Sequence, residues 1–179
     1  LVVPGSLSAV GGGLLVGGHV VAAGAGMRVA VAVALGHQVP PVAGKPGRLV
    51  PATRIGLAEI AAEFYGRPSR RLKLAGITGT DGKTTTTHMA EHVLQASGIP
   101  AGAMSTVAFT VGADETDNLS GQTTTEAPQV QAWLQRMVEA GVQCAVIETT
   151  SHAVVQERVR ACDFDVAAFT NVGHDHLDY

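Results

Sequence analysis

The sequence predicts an α/β fold, a P-loop-type parallel sheet with helices on both faces, and three observations lead there. Apolar, β-rich runs at 72–77, 102–108, 144–147 and 166–169 alternate with helical patterns at 83–97 and from Ala127 onward, the alternation of a parallel sheet with crossover helices. A glycine-rich turn joins the first run to the first of these helices. Polar clusters follow the ends of the runs, where such sheets hold their ligands.

Ahead of this unit, residues 1–50 are rich in Gly, Ala and Val. Val29-Ala30-Val31-Ala32-Val33 reads as a buried strand, and Pro40, Pro41, Gly44, Pro46 and Gly47 as a loop. This stretch carries no evident chemistry. From 53 to 65, Ile55, Leu57, Ala58, Ile60, Ala61 and Phe64 recur at helical spacing, and Gly66 stops the helix. Arg67-Pro68-Ser69 reads as a linker. The expected division is therefore 1–66, the remnant of a small α/β N-terminal domain plus a linking helix, and 67–179, a central domain truncated on its C-terminal side.

Within 67–179 the strand at 72–77 precedes the turn, and Gly98 and Pro100 end the following helix. A short strand at 102–108 and a polar loop from 112 to 125 come next. The second helix carries Val130, Trp133, Leu134, Met137 and Val138. A strand from Cys144 ends on Glu148, and the strand 166–169 ends on Thr170-Asn171.

Composition narrows the function. The 179 residues carry 12 Lys+Arg against 15 Asp+Glu, a net charge of −3. A nucleic-acid binder needs a basic face, and with aromatics at 4% a base-stacking surface is also unexpected. Cys144 and Cys162 fit neither a disulfide framework nor a zinc spacing, and free thiols suit a reducing cytosol. No basic segment leads an apolar stretch as in a signal peptide, and the run 29–35 is too short to span a bilayer.

The chemistry concentrates in Gly76-Ile77-Thr78-Gly79-Thr80-Asp81-Gly82-Lys83-Thr84-Thr85-Thr86-Thr87. Strand, glycine turn and helix in that order make a phosphate cradle: backbone N–H groups converge on phosphate oxygens, and the helix N-terminus adds partial positive charge. Lys83 can reach the β- and γ-phosphates, and the Thr84 hydroxyl can sit on Mg²⁺. Ile77 stands where the general pattern has its first glycine. The bland alternative is a glycine turn capped by Thr and Asp. Glu148, at a strand end, suits the Mg²⁺ of a nucleotide, directly or through water. Asp175-His176-Leu177-Asp178 suits a divalent ion or proton transfer, or is simply a solvated loop. The hydroxyls of Thr149-Thr150-Ser151 can cap a helix, and so can Thr125. Thr123 and Thr124 can bind an anionic substrate, and Arg158, two residues after Gln156, can clamp a carboxylate or phosphate bidentately.

Taken together, the phosphate-loop run, Thr123-Thr124, Glu148-Thr149-Thr150-Ser151-His152-Ala153, Phe169-Thr170-Asn171-Val172 and Asp175-His176-Leu177-Asp178-Tyr179 resemble the Mur ligase family, the ATP-dependent amide-bond ligases that build the peptidoglycan stem peptide. Order and spacing look most like the branch that adds the third residue to UDP-N-acetylmuramoyl-L-alanyl-D-glutamate. The resemblance is strong from about Leu57 onward and loose before it. It implies that 67–179 is part of the family's central domain. It further implies that Gly79, Thr80, Asp81, Gly82, Lys83, Thr84 and Thr85 bind ATP. Thr123, Thr124, Thr150, Gln156 and Arg158 would contact the muramoyl dipeptide, and Thr84, Glu148 and His176 would hold Mg²⁺. Lys83, Glu148 and His176 would form the catalytic set. Asp81 stands where Asn is more usual, Thr150 where Ser is usual, and Thr125 where Pro is common. The resemblance implies small-molecule substrates (the UDP-muramoyl dipeptide and an amino acid), no nucleic-acid or membrane partner, a monomer and a cytoplasmic location. On this reading the rest of the catalytic machinery follows Tyr179, and this stretch alone is expected to be inactive. Two rivals stand beside it: another ligase of the superfamily such as folylpolyglutamate synthase, and a non-catalytic nucleotide-binding module. A GTPase would show an Asn-Lys-x-Asp guanine reader, which does not occur in the sequence.

Overall fold

A computed structural model describes residues 53–173 and two short strands, β1 (Val20–Val21) and β2 (Val31–Ala32). β1 and β2 pair antiparallel, Val20 opposite Ala32, and β2 falls inside the run read as a strand. The other readings on 1–52, and the motif at 174–179 with His176, lie outside the described residues.

The main sheet contains β3 (Lys73–Thr78), β4 (Ala101–Met104), β5 (Ala108–Val111), β6 (Asp114–Asp117), β7 (Cys144–Glu148) and β8 (Val166–Phe169), in the order β6-β5-β4-β7-β3-β8. The four strands from β4 to β8 are parallel. β5 and β6 run antiparallel and extend one edge, which corrects the expectation of one strand at 102–108 followed by loop. The turn between β4 and β5 contains neither Gly nor Pro. Ser105 makes it instead: its hydroxyl accepts from the N–H groups of Val107 and Ala108, both at 3.2 Å, and lies 3.0 Å from the Ala108 carbonyl. β6 reads Asp-Glu-Thr-Asp and is exposed throughout. With no apolar face it shows no alternation to read, and its charges suit a sheet edge.

Helices α2 (Lys83–Ala96) and α3 (Ala127–Glu139) cover opposite faces. Under α3, Val130, Leu134 and Met137 join Leu74, Met104, Phe109, Ala145 and Ile147 in one apolar core. Gly102 faces this side, where a Cβ would come within 3.2 Å of Met137 Cε and 2.7 Å of the Thr110 carbonyl. Strand alternation turns Ala101, Ala103 and Val146 towards α2. Helix α1 (Thr53–Phe64) ends at Gly66, whose φ is +70°. It lays Ala58 and Ala62 against Ala127 and Ala161. The residues read as a linker make a 3₁₀ turn, Pro68–Arg71, with Pro68 and Ser69 buried. Asp165 ties β3 to the start of β8, accepting from the Leu74 N–H and the Lys73 ammonium, both at 2.9 Å. Those two donors hold its carboxyl below the usual carboxylate range, the backbone N–H contributing most. Among the described residues, no helix is long and apolar enough to cross a membrane.

Candidate active site

The carboxyl ends of β3, β7 and β8 meet around the N-terminus of α2. β3 hands the chain to Gly79, whose φ of +134° belongs to glycine. A Cβ there would lie 2.1 Å from Thr170 Oγ1 and 2.9 Å from the Asn171 carbonyl. Gly82, at φ +77°, caps α2 without a side chain. The first helical bond runs from Thr86 N to Gly82 O, so the N–H groups of Lys83, Thr84 and Thr85 lie ahead of the ladder, free for an anion. The Lys83 ammonium folds back on the loop and donates to the carbonyls of Gly79 and Thr80, each at 2.8 Å. A phosphate in the cradle offers it a charged acceptor in their place.

Glu148 closes β7 and is 2% exposed. The Thr84 hydroxyl donates to its Oε2 at 2.9 Å, so these two expected metal-binding residues are adjacent. No ion pair neutralises this carboxylate among the described residues, and its donors are the Thr84 hydroxyl and the hydroxyl and backbone N–H of Thr106. A buried carboxylate without a counter-charge is costly. A hard divalent cation beside these oxygens would supply that charge, and the donor set fits Mg²⁺. Their third expected partner, His176, lies outside the described residues.

The expected substrate residues also come together, beside Glu148. The buried Thr124 donates through its hydroxyl to the Glu148 carbonyl at 2.8 Å and accepts from the Thr150 N–H at 3.2 Å. Thr150 caps α4 (Ser151–Val155), accepting from the Ala153 N–H at 3.1 Å. Arg158 donates to the Thr124 carbonyl at 2.8 Å and to Gln156 Oε1 at 2.7 Å. Its Nε is buried without a partner among the described residues. Thr123 pairs with Thr106, hydroxyl to hydroxyl, at 3.1 Å.

Two residues to which the sequence reading gave no role complete the arrangement. Asn171 accepts through Oδ1 from the N–H groups of Thr80 and Asp81 at 3.0 and 3.1 Å, and donates to the Asp81 carbonyl at 3.1 Å. Its place at the end of a strand neighbouring β3 was the available signal. Thr106 gave none, because the turn that presents it was not legible.

Residues 77–179 match the model of the Mur ligase middle domain. The chain is 50% identical over 136 residues to the UDP-N-acetylmuramyl-tripeptide synthetase of Roseiflexus sp., covering 75% of this chain and 27% of that protein. It is 42% identical over 178 residues to the UDP-N-acetylmuramoyl-L-alanyl-D-glutamate--2,6-diaminopimelate ligase of Geobacillus thermodenitrificans, covering 99% of this chain and 36% of that protein. A solved structure of a UDP-N-acetylmuramoyl-L-alanyl-D-glutamate--2,6-diaminopimelate ligase matches with a TM-score of 0.53 and 26% identity, over 66% of this chain and 26% of that one. The chain thus spans about a quarter to a third of the length of these relatives.

Proposed function

This chain belongs to the Mur ligase family, and we propose that it is the nucleotide-handling part of an ATP-dependent ligase. That ligase adds the third amino acid to UDP-N-acetylmuramoyl-L-alanyl-D-glutamate in peptidoglycan synthesis. The observation that carries this reading is the Thr84–Glu148 contact of 2.9 Å at the foot of the glycine loop, with the Thr124–Thr150–Arg158 cluster directly behind it.

The proposed reaction is phosphoryl transfer followed by amide-bond formation. The cradle at 79–85 holds the triphosphate of ATP, and Lys83 pairs with its terminal oxygens. Thr123, Thr124, Thr150, Gln156 and Arg158 orient the muramoyl dipeptide so that its D-glutamate carboxylate faces the γ-phosphorus in line with the leaving ADP. The carboxylate oxygen forms the new P–O bond, the bond to ADP breaks, and an acyl phosphate results. The amine of the incoming amino acid then attacks the acyl carbon, phosphate leaves, and the amine loses a proton. Mg²⁺, held by Thr84, Glu148 and His176, would neutralise charge on the phosphoryl oxygens. Lys83 shares that role from the loop, and most of the rate acceleration comes from positioning. The proposed partners are small molecules, the proposed state a monomer and the proposed compartment the cytoplasm.

The test uses the full-length protein with ATP, the UDP-muramoyl dipeptide and an amino acid. ADP release should require the dipeptide. Lys83→Ala should weaken ATP binding by about 1.5–3 kcal/mol in calorimetry, the worth of hydrogen bonds to a charged group. ADP release driven by a folate substrate, or equal ATP affinities for the two proteins, overturns the reading.

A further inference from the structure

We infer that Thr106 is a positioning residue for Glu148 and couples it to Thr123; the inference rests on the proposed role of Glu148 at the cation. Thr106 stands at the tip of the β4–β5 turn and touches the Glu148 carboxylate twice. Its backbone N–H donates to Oε2 at 2.9 Å and its hydroxyl to the same oxygen at 3.0 Å. With the Thr84 hydroxyl at 2.9 Å, three donors converge on Oε2. Pinning one oxygen fixes the rotamer and assigns the carboxylate's remaining acceptor capacity, chiefly Oε1, to a cation.

Proton bookkeeping gives Thr106 its second connection. A hydroxyl has one hydrogen. If Thr106 gives its hydrogen to the carboxylate, the 3.1 Å contact with Thr123 must be a bond donated by Thr123. A directed chain results, from Thr123 through Thr106 to Glu148, linking a residue assigned to the muramoyl substrate with one assigned to the metal. The turn that carries Thr106 is held from beneath. Asn118 donates to the Ser105 carbonyl at 2.8 Å and to that of Gln122, also at 2.8 Å, so the two segments bearing Thr106 and Thr123 are tied together. His88 Nε2 lies 2.9 Å from the Ser105 hydroxyl and braces the same turn from α2. Thr106 is itself exposed, so its side chain is not required to fill a core.

The test compares Thr106→Val, Thr106→Ser and Glu148→Gln in the full-length protein by electron paramagnetic resonance, titrating Mn²⁺ with a non-hydrolysable ATP analogue present. Valine keeps the shape and the backbone N–H but loses the hydroxyl. It should raise the half-saturating Mn²⁺ concentration about tenfold, as removal of one hydrogen bond to a charged group does. Serine keeps the hydroxyl and should bind like the unmodified protein. It also covers the case in which the valine protein fails to fold, because a serine variant with tenfold weaker Mn²⁺ binding would overturn the inference. If Glu148→Gln weakens binding and Thr106→Val does not, Thr106 does not position the carboxylate. If Glu148→Gln leaves binding unchanged, the cation assignment fails and this inference with it.

Discussion

The Arg158 guanidinium lies 3.1 Å from the Glu126 carboxylate, with the arginine side chain 12% exposed. Glu126 immediately precedes α3, and Arg158 follows α4, so the ion pair joins the two segments that flank the threonine cluster. The same guanidinium reaches the Thr124 carbonyl and Gln156. Arg158 is therefore a brace for the cluster as well as a candidate clamp on substrate.

Lysine cannot reproduce that fork, since it offers one compact charge in place of a planar array of donors. Arg158→Lys in the full-length protein should cost about 2 kcal/mol of stability, because bonds from a largely buried charge are lost. It should also raise the KM for the UDP-muramoyl dipeptide and leave that for ATP nearly unchanged. Thermal melting and steady-state kinetics with each substrate varied in turn check both parts. An unchanged melting temperature would show that the internal bonds are dispensable. A raised KM for ATP alone would move Arg158 to the nucleotide.

Asn171 offers a separate test of how the phosphate loop is held. Its amide takes up the N–H groups of Thr80 and Asp81, so the end of β8 fixes the loop before a ligand arrives. Asn171→Leu should release these two amides. Hydrogen exchange across 79–83 should accelerate, and ATP affinity should fall by about 1 kcal/mol, the net worth of an ordinary hydrogen bond. Unchanged exchange in that peptide would mean that the glycine loop keeps its shape unaided.

The sequence made the phosphate loop, Glu148 and the parallel strands legible because each has a local signature. The glycines declare the turn, and a lone acid after Ala145-Val146-Ile147 declares a strand end. The β5–β6 extension was not legible, because β6 is a charged edge with no buried face and the preceding turn is made by a serine hydroxyl. Thr106 was hidden for the same reason: its role comes from a contact across 42 residues of chain. Arg158 was legible as a chemical type, whereas its engagement with Glu126 depends on how α3 and α4 pack. The 3₁₀ turn at Pro68–Arg71 passed for a linker because Pro and Ser favour both, and only burial separates them.

The two cysteines should differ sharply in reactivity. Cys162 is 8% exposed and belongs to the apolar core, and burial pushes its thiol up to about 12, opposed only by the Gln131 amide 3.4 Å from Sγ. Cys144 opens β7 and is only partly buried. Alkylation of the native full-length protein with iodoacetamide near neutral pH should therefore modify Cys144 and spare Cys162, as peptide mass spectrometry would show. The shift also has a sign in stability. The unfolded thiol loses its proton from about pH 8.5 upward, while the folded one keeps it until about 12. Stability is accordingly unaffected below the unfolded value and declines as pH rises between the two, by up to about 1.4 kcal/mol per pH unit. Denaturation at pH 8 and pH 10 should show that decline, and Cys162→Ala should reduce it. Ready labelling of Cys162 in the folded protein, or an equal alkaline decline in the alanine variant, would show that the thiol is not held in the core.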